Sequence, residues 1–171
     1  NVFLPSLPGI AAHFDADYAV VQLAVSGYLA VTGLLQLLVG PLSDRYGRRP
    51  VLLWSMGIFV AATIGALLAP NVETFLACRM VQATVASGFA LSRAIVRDTS
   101  PPEKAASRIG YVTMGMAVVP MLGPMLGGAL EAWAGWQASF ALLLAFGVAV
   151  WAMVWADLGE TNVARSSSLM S

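Results

Sequence analysis

Charge is what this sequence has least of. Only 11% of its 171 residues are Asp, Glu, Lys or Arg, where a soluble domain carries about a quarter. The nine basic and nine acidic residues cancel to a net charge of zero, which removes the attraction that binding to nucleic acid needs. The single cysteine, Cys78, excludes an intrachain disulfide. With one histidine, and no clustered ligands, phosphate loop or nucleophile–base set, neither a metal centre nor an enzyme is expected. An initiator Met and a basic leader are also lacking. Asn1 begins in mid-pattern, so the chain is expected to start inside a longer one, with its first helix truncated.

What is present is apolar: 58% of residues are hydrophobic and the mean hydropathy is +0.77. Residues 51–69, 109–130 and 138–156 contain no charge. About 20 such residues let a helix cross the ~30 Å hydrocarbon layer, and in lipid only helices or closed barrels satisfy every backbone polar group. The expected class is therefore all-α and membrane-integral. Six segments are predicted: 1–12 (partial, broken by Pro5 and Pro8), 19–41, 51–69, 73–92, 109–130 and 136–156. They form one bundle over 1–157, followed by a polar tail at 158–171.

The basic residues are sorted by connection. Arg45, Arg48 and Arg49 lie between the second and third segments, Arg93, Arg97, Lys104 and Arg108 bracket the fourth connection, and Arg165 is in the tail. The connections at 13–18, 70–72 and 131–135 have no Lys or Arg. The positive-inside rule then places the basic loops and the tail in the cytoplasm. Trp54, Trp133, Trp136 and Trp155 fall where interfacial anchors are expected. The pattern G-x-L-x-x-x-x-G occurs at 40–47 and again at 128–135. Each copy lies between the second and third helix of a three-helix set but on opposite faces, as an inverted repeat produces.

The segment between the second and third helices carries the most information. Gly40, Asp44, Arg45, Gly47, Arg48 and Arg49 fill the pattern G-x-x-x-D-R-x-G-R-R. Glycines at its ends allow a tight turn, and Asp44 and Arg48 are spaced to pair on a helical turn. As a bare physical element it is a positive-inside anchor. As a pattern it resembles the signature loop of the major facilitator superfamily. The resemblance extends through F-L-P-S-L-P-G at 3–9, R-M-V-Q at 79–82, R-A-I-V-R-D at 93–98, P-M-L-G-P-M-L-G-G at 120–128 and G-E-T at 159–161. That succession is similar to drug/proton antiporters of the bicyclomycin-resistance type.

The resemblance implies a six-helix half-bundle of a transporter, built from two inverted three-helix repeats. The carboxy-terminal half would be its partner, and a proton gradient rather than a cofactor its energy source. It also implies that Asp44, Arg48 and Asp98 lock the two halves. In the same resemblance an Asp commonly stands where this chain has Asn1, which cannot titrate near neutral pH. The remaining acidic residues fall in loops or at helix ends, and none is expected to be buried in a span.

Arg79 lies about six residues into the fourth segment, at a cost on the order of 2.5–3.5 kcal/mol near a helix centre. Two readings of it stand. It lines a transport cavity together with Gln82, or its long stem snorkels to the interface. Ala86 and Phe89 continue the face of Arg79 and Gln82 at helical spacing. Asn1, Tyr28 and Met114 are the other cavity candidates, with Gln36 and Met121 as weaker ones. In the fifth segment Gly123 and Gly127 allow close helix approach, and Pro120 and Pro124 each remove a backbone donor. Gly110, Gly123, Pro124, Gly127 and Gly128 match the family's antiporter pattern, with Val119 in place of one glycine. The expected function is proton-coupled efflux of drugs or other small molecules by alternating access. The alternatives are a facilitator without proton coupling and a membrane fragment that transports nothing.

Overall fold

The computed structural model describes residues 2–157, except the side chains of 102–105. Among these the chain is helical and has no strands. A 3₁₀ turn at Leu4–Ser6 leads into α1 (Leu7–His13). Then follow α2 (Tyr18–Tyr46), α3 (Arg48–Leu67), α4 (Val72–Gln82), α5 (Ala86–Thr99), α6 (Pro102–Ala134) and α7 (Trp136–Asp157). A 3₁₀ turn at Ala83–Val85 joins α4 to α5, so the two form one span, Val72–Thr99. Among the described residues, five helices are long and apolar enough to cross a bilayer.

Local chemistry sets the ends. The Asp17 carboxylate accepts from the Ala19 N–H, and the Asn71 side chain accepts from the Thr74 N–H, each satisfying an orphan donor of a first turn. Pro102 opens α6 at a position where no backbone donor is needed. Three of the predicted segments run longer in the structure. The 19–41 segment continues through Pro41 to Tyr46, 73–92 runs to Thr99, and 109–130 grows to Pro102–Ala134.

Most of the signature segment is consequently helix rather than loop. Gly40 and Pro41 lie inside α2, and only Gly47 turns. Its φ of 98° and ψ of 153° belong to a region open almost only to glycine. Gly135, between α6 and α7, has φ 75° and ψ −177°. These are the two glycines recorded at positive φ among the described residues, and they end the two copies of the repeated pattern. The sequence echo thus corresponds to two one-residue joints at opposite ends of the bundle.

Two packed clusters fill the interior. At the Gly135 end, Phe3, Phe75, Trp136 and Phe140 interlock, with ring centroids 5.5–5.9 Å apart, and Phe14 closes over them. Such pairs contribute about 0.5–1.5 kcal/mol each beyond area burial, and in lipid packing of this kind drives helix association. Trp136 is therefore a core residue, 5% exposed, rather than an interfacial anchor. Val39, Val51, Leu52, Met56 and Leu91 form the second cluster, toward Gly47.

Coverage is uneven. Within their most apolar windows α3 and the 72–99 span are 39% buried, but α2 and α6 only 11% and 6%. Leu34, Leu37 and Leu38 on α2 and Val119, Met121 and Met125 on α6 face outward.

Candidate functional site: a buried arginine among aromatic rings

Arg79 lies in the last turn of α4 and is 3% exposed, so it does not snorkel. Its guanidinium carbon sits 4.0 Å from the Phe3 ring centroid, 4.5 Å from Tyr28 and 5.8 Å from Phe140. One guanidinium nitrogen donates to the Gln82 side-chain oxygen. The Gln82 amide donates in turn to Thr63 Oγ1 at 2.7 Å, and that hydroxyl donates to the Phe59 carbonyl at 2.7 Å.

Magnitudes explain why the charge can stay. Each desolvated cation–π contact contributes up to about 2 kcal/mol, and a hydrogen bond to a charged group about 1.5–3 kcal/mol. Two close rings and one such bond offset an insertion cost of about 3 kcal/mol. Arg79 Nε, however, makes no hydrogen bond, and the buried hydroxyls of Ser6 and Ser139 make none either. The nest holds the cation and leaves donor capacity inside it.

Of the predicted cavity residues, Arg79, Gln82 and Tyr28 come together. Met114 does not: it is 60% exposed on α6, and Gln36 and Met121 also face outward. Asn1 lies outside the described residues. Phe89, placed on the Arg79 face by spacing, is exposed, whereas Ala86 is buried. Phe3, Thr63 and Phe140 were not anticipated. Thr63 is the one whose signal was available, as a hydroxyl within the uncharged 51–69 run.

A second polar cluster surrounds Gly47. Arg48 is buried and reaches three groups: Asp44 at 2.6 Å, Asp98 at 3.2 Å and Ser43 Oγ at 2.5 Å. It therefore ties the end of α2 and the start of α3 to the last turn of α5. Arg49 donates to the Trp155 carbonyl at 3.0 Å and satisfies the end of α7. Arg45 lies over the Tyr46 ring, 5.5 Å from its centroid.

The glycine-rich stretch of α6 divides in two. Gly127 packs against the Val2 carbonyl and Gly128 against Pro5, so the small residues admit the amino-terminal segment. Gly123 is buried and Pro124 half-buried, while Pro120 is exposed and Gly110 meets nothing within 4 Å.

Three features now stand together: an Arg–Asp–Asp joint at Gly47, an in-span R-x-x-Q pair, and a G-P-x-x-G-G seam. The family model of the Major Facilitator Superfamily matches residues 1–169. The chain belongs to this superfamily. It is 38% identical, over 99% of its length, to a chloramphenicol resistance protein of Pseudomonas aeruginosa, covering 41% of that protein. It is 34% identical over 99% of its length to the multidrug transporter MdfA of Yersinia pestis, covering 42%. Over 84% of its length it is 31% identical to multidrug resistance protein D of Escherichia coli, covering 37%. The chain thus spans about two fifths of the length of these relatives. As a Major Facilitator Superfamily half-bundle it is all-α, and its outward apolar surface suits a bilayer.

Proposed function

We propose that the chain is the amino-terminal half of a secondary transporter of the bacterial inner membrane that exports drugs or other small molecules in exchange for protons. A second six-helix bundle would complete it, covering the apolar faces of α2 and α6. The Gly47 end, the connection between α5 and α6 and the tail would face the cytoplasm, following the arginines. The energy source would be the proton gradient, with no bound cofactor.

The observation that carries this proposal is the Arg79 nest. A guanidinium offers donors to carbonyl, nitro or hydroxyl oxygens, while Phe3, Tyr28 and Phe140 offer ring faces. That combination suits small, largely apolar aromatic molecules bearing a few acceptor oxygens. The names of the relatives point the same way. In the conformation described here the guanidinium is covered, so substrate reaches it only when the amino-terminal segment or α2 parts from α4. Exposure that depends on helix displacement is what alternating access requires.

Facilitated passage without proton coupling is the second reading, favoured by Asn1 in place of a carboxylic acid. One experiment separates them: the complete protein in inverted vesicles with an acidic interior, challenged with chloramphenicol while lumenal pH is followed. Antiport predicts drug-triggered proton release, reduced at least about tenfold in Arg79→Ala, which corresponds to about 1.4 kcal/mol or more. Labelled drug that crosses while no proton moves would eliminate antiport and leave the facilitator.

A further inference from the structure

Two open grooves flank the exposed stripe of α3 that Trp54, Ile58 and Ala61 form. The first lies between α2 and α3 and measures about 850 Å³. Leu35, Leu38 and Leu42 wall it, and Thr84 and Ser87 form its floor. The second, of about 440 Å³, lies between α3 and α7, against Leu53, Gly57, Trp151 and Trp155. Pro50, Trp54 and Ile58 belong to both. Trp54, 74% exposed, is therefore the ridge between them, and they converge at Pro50, near the Gly47 joint.

Their length and lining fit hydrocarbon chains. Residues 35–46 of α2 and 50–61 of α3 supply the walls, each stretch about 16 Å long at the helical rise. That is the depth of one leaflet, half of the ~30 Å hydrocarbon layer. Polar atoms of the lining are turned inward. The Ser55 and Thr84 hydroxyls donate to the Val51 and Ser55 carbonyls, at 2.7 and 3.3 Å, and the Trp151 indole donates to the Leu53 carbonyl at 3.2 Å. The face of α2 left for a second bundle, with Leu34 and Leu37, is a different helical stripe from Leu35, Val39 and Leu42, which turn toward α3.

Charge is confined to one end. Arg45 is exposed, lines the first groove and makes no ion pair among the described residues. Asp44 and Asp98, the acidic groups beside the Gly47 joint, are bound to Arg48. Arg49 is held by the Trp155 carbonyl, at the second groove. Asp157 ends α7 just beyond it, so an anion is better placed at Arg45 than at Arg49. Glu103, Lys104, Glu160 and Arg165 lie outside the described side chains.

We propose that this surface binds one anionic two-chain phospholipid, its phosphate on Arg45 and one acyl chain in each groove, astride Trp54. A guanidinium above an apolar groove complements a phosphate above an acyl chain, since it donates charge-assisted hydrogen bonds to phosphate oxygens. An amphipathic indole suits the level between them. A zwitterionic head group brings a cation to the same arginine and is held less well. The bound lipid would join α2, α3 and α7 along their outer side. This inference goes beyond the transport reading and depends neither on proton coupling nor on the orientation of the bundle.

The test uses the full-length protein in nanodiscs with equal amounts of phosphatidylglycerol and phosphatidylcholine, and native mass spectrometry reads the lipid that leaves with it. Phosphatidylglycerol should be retained at least about fivefold over phosphatidylcholine, as one basic residue beside an anionic lipid provides. Arg45→Gln should lower that preference about fivefold, and Arg45→Lys should keep most of it. Equal retention by the wild type, or a preference that Arg45→Gln leaves intact, would overturn the proposal. A second measurement reads the grooves themselves. The difference in fluorescence between wild type and Trp54→Phe isolates the emission of Trp54. Phosphatidylglycerol with brominated chains should quench it more than brominated phosphatidylcholine at the same mole fraction. Quenching by neither would mean that protein, the second half or residues 158–171, covers the grooves. Equal quenching by both would mean that the lipid there is unselected. Either result defeats the proposal.

Discussion

The Gly47 end and the interior of the bundle treat charge in opposite ways. Around Gly47, Arg48 is bound by Asp44, Asp98 and Ser43, and Arg49 by a helix-terminal carbonyl, with only Arg49 Nε left unpartnered there. Deeper in, Arg79 Nε and Glu131 Oε2 are buried without a hydrogen-bond partner. Satisfied buried polar groups fix a geometry, whereas unsatisfied ones cost free energy unless something else binds them. The first region holds helices together, whereas the second keeps unused hydrogen-bonding capacity inside the bundle.

That division can be broken by substitution. The largest effect on stability is expected at Arg48→Ala, which leaves Asp98 only its neighbour Arg97 and loosens α5. Breaking a buried ion pair costs about 3–5 kcal/mol, and the partial exposure of Asp98 places this case at about 3 kcal/mol or less. Thermal unfolding of the full-length protein in detergent measures it, with drug affinity expected to be little changed in the protein that remains folded. Gly47→Ala comes next, at about 1–3 kcal/mol, because its backbone angles are nearly exclusive to glycine. Asn should not rescue it, since the ψ of 153° lies far from the left-handed helical region that Asn tolerates. The smallest loss of stability is expected at Thr63→Val, about 1–2 kcal/mol for depriving Gln82 of its acceptor. Its sharper readout is transport: it should weaken drug exchange in the same direction as Arg79→Ala but by less. If Arg48→Ala abolished drug binding in folded protein, or Thr63→Val left transport untouched, the division would fail.

Much of this was legible in the sequence for physical reasons. Uncharged runs of membrane length marked the long apolar helices. Arg79 stood out because a cation in an apolar helix needs a reason, and Gln82 followed from its spacing. The segment at 40–46 was not legible. Gly40 and Pro41 favour a turn locally, yet the helix continues, with Ser43 Oγ bonding back to the Gly40 carbonyl. Nor could the side chain of Glu131 be placed. Its burial depends on how α1 lies against α6, and α1 is a short segment whose position is set by contacts far along the chain. Trp136 was misjudged for the same reason. Its neighbours Phe75 and Phe140 become a cluster only after folding.

The two glycine joints carry a mechanical consequence. A connection of a single residue, held at backbone angles that few alternatives can replace, has no slack. The pairs α2–α3 and α6–α7 therefore behave as stiff levers, each pinned at its tip. Displacement between them has to be absorbed where the chain can yield: at residues 14–17, 68–71 and 100–101, and in the 3₁₀ turn Ala83–Val85. That last point follows Gln82 directly in the chain. A twist there would be felt first by the Arg79 nest.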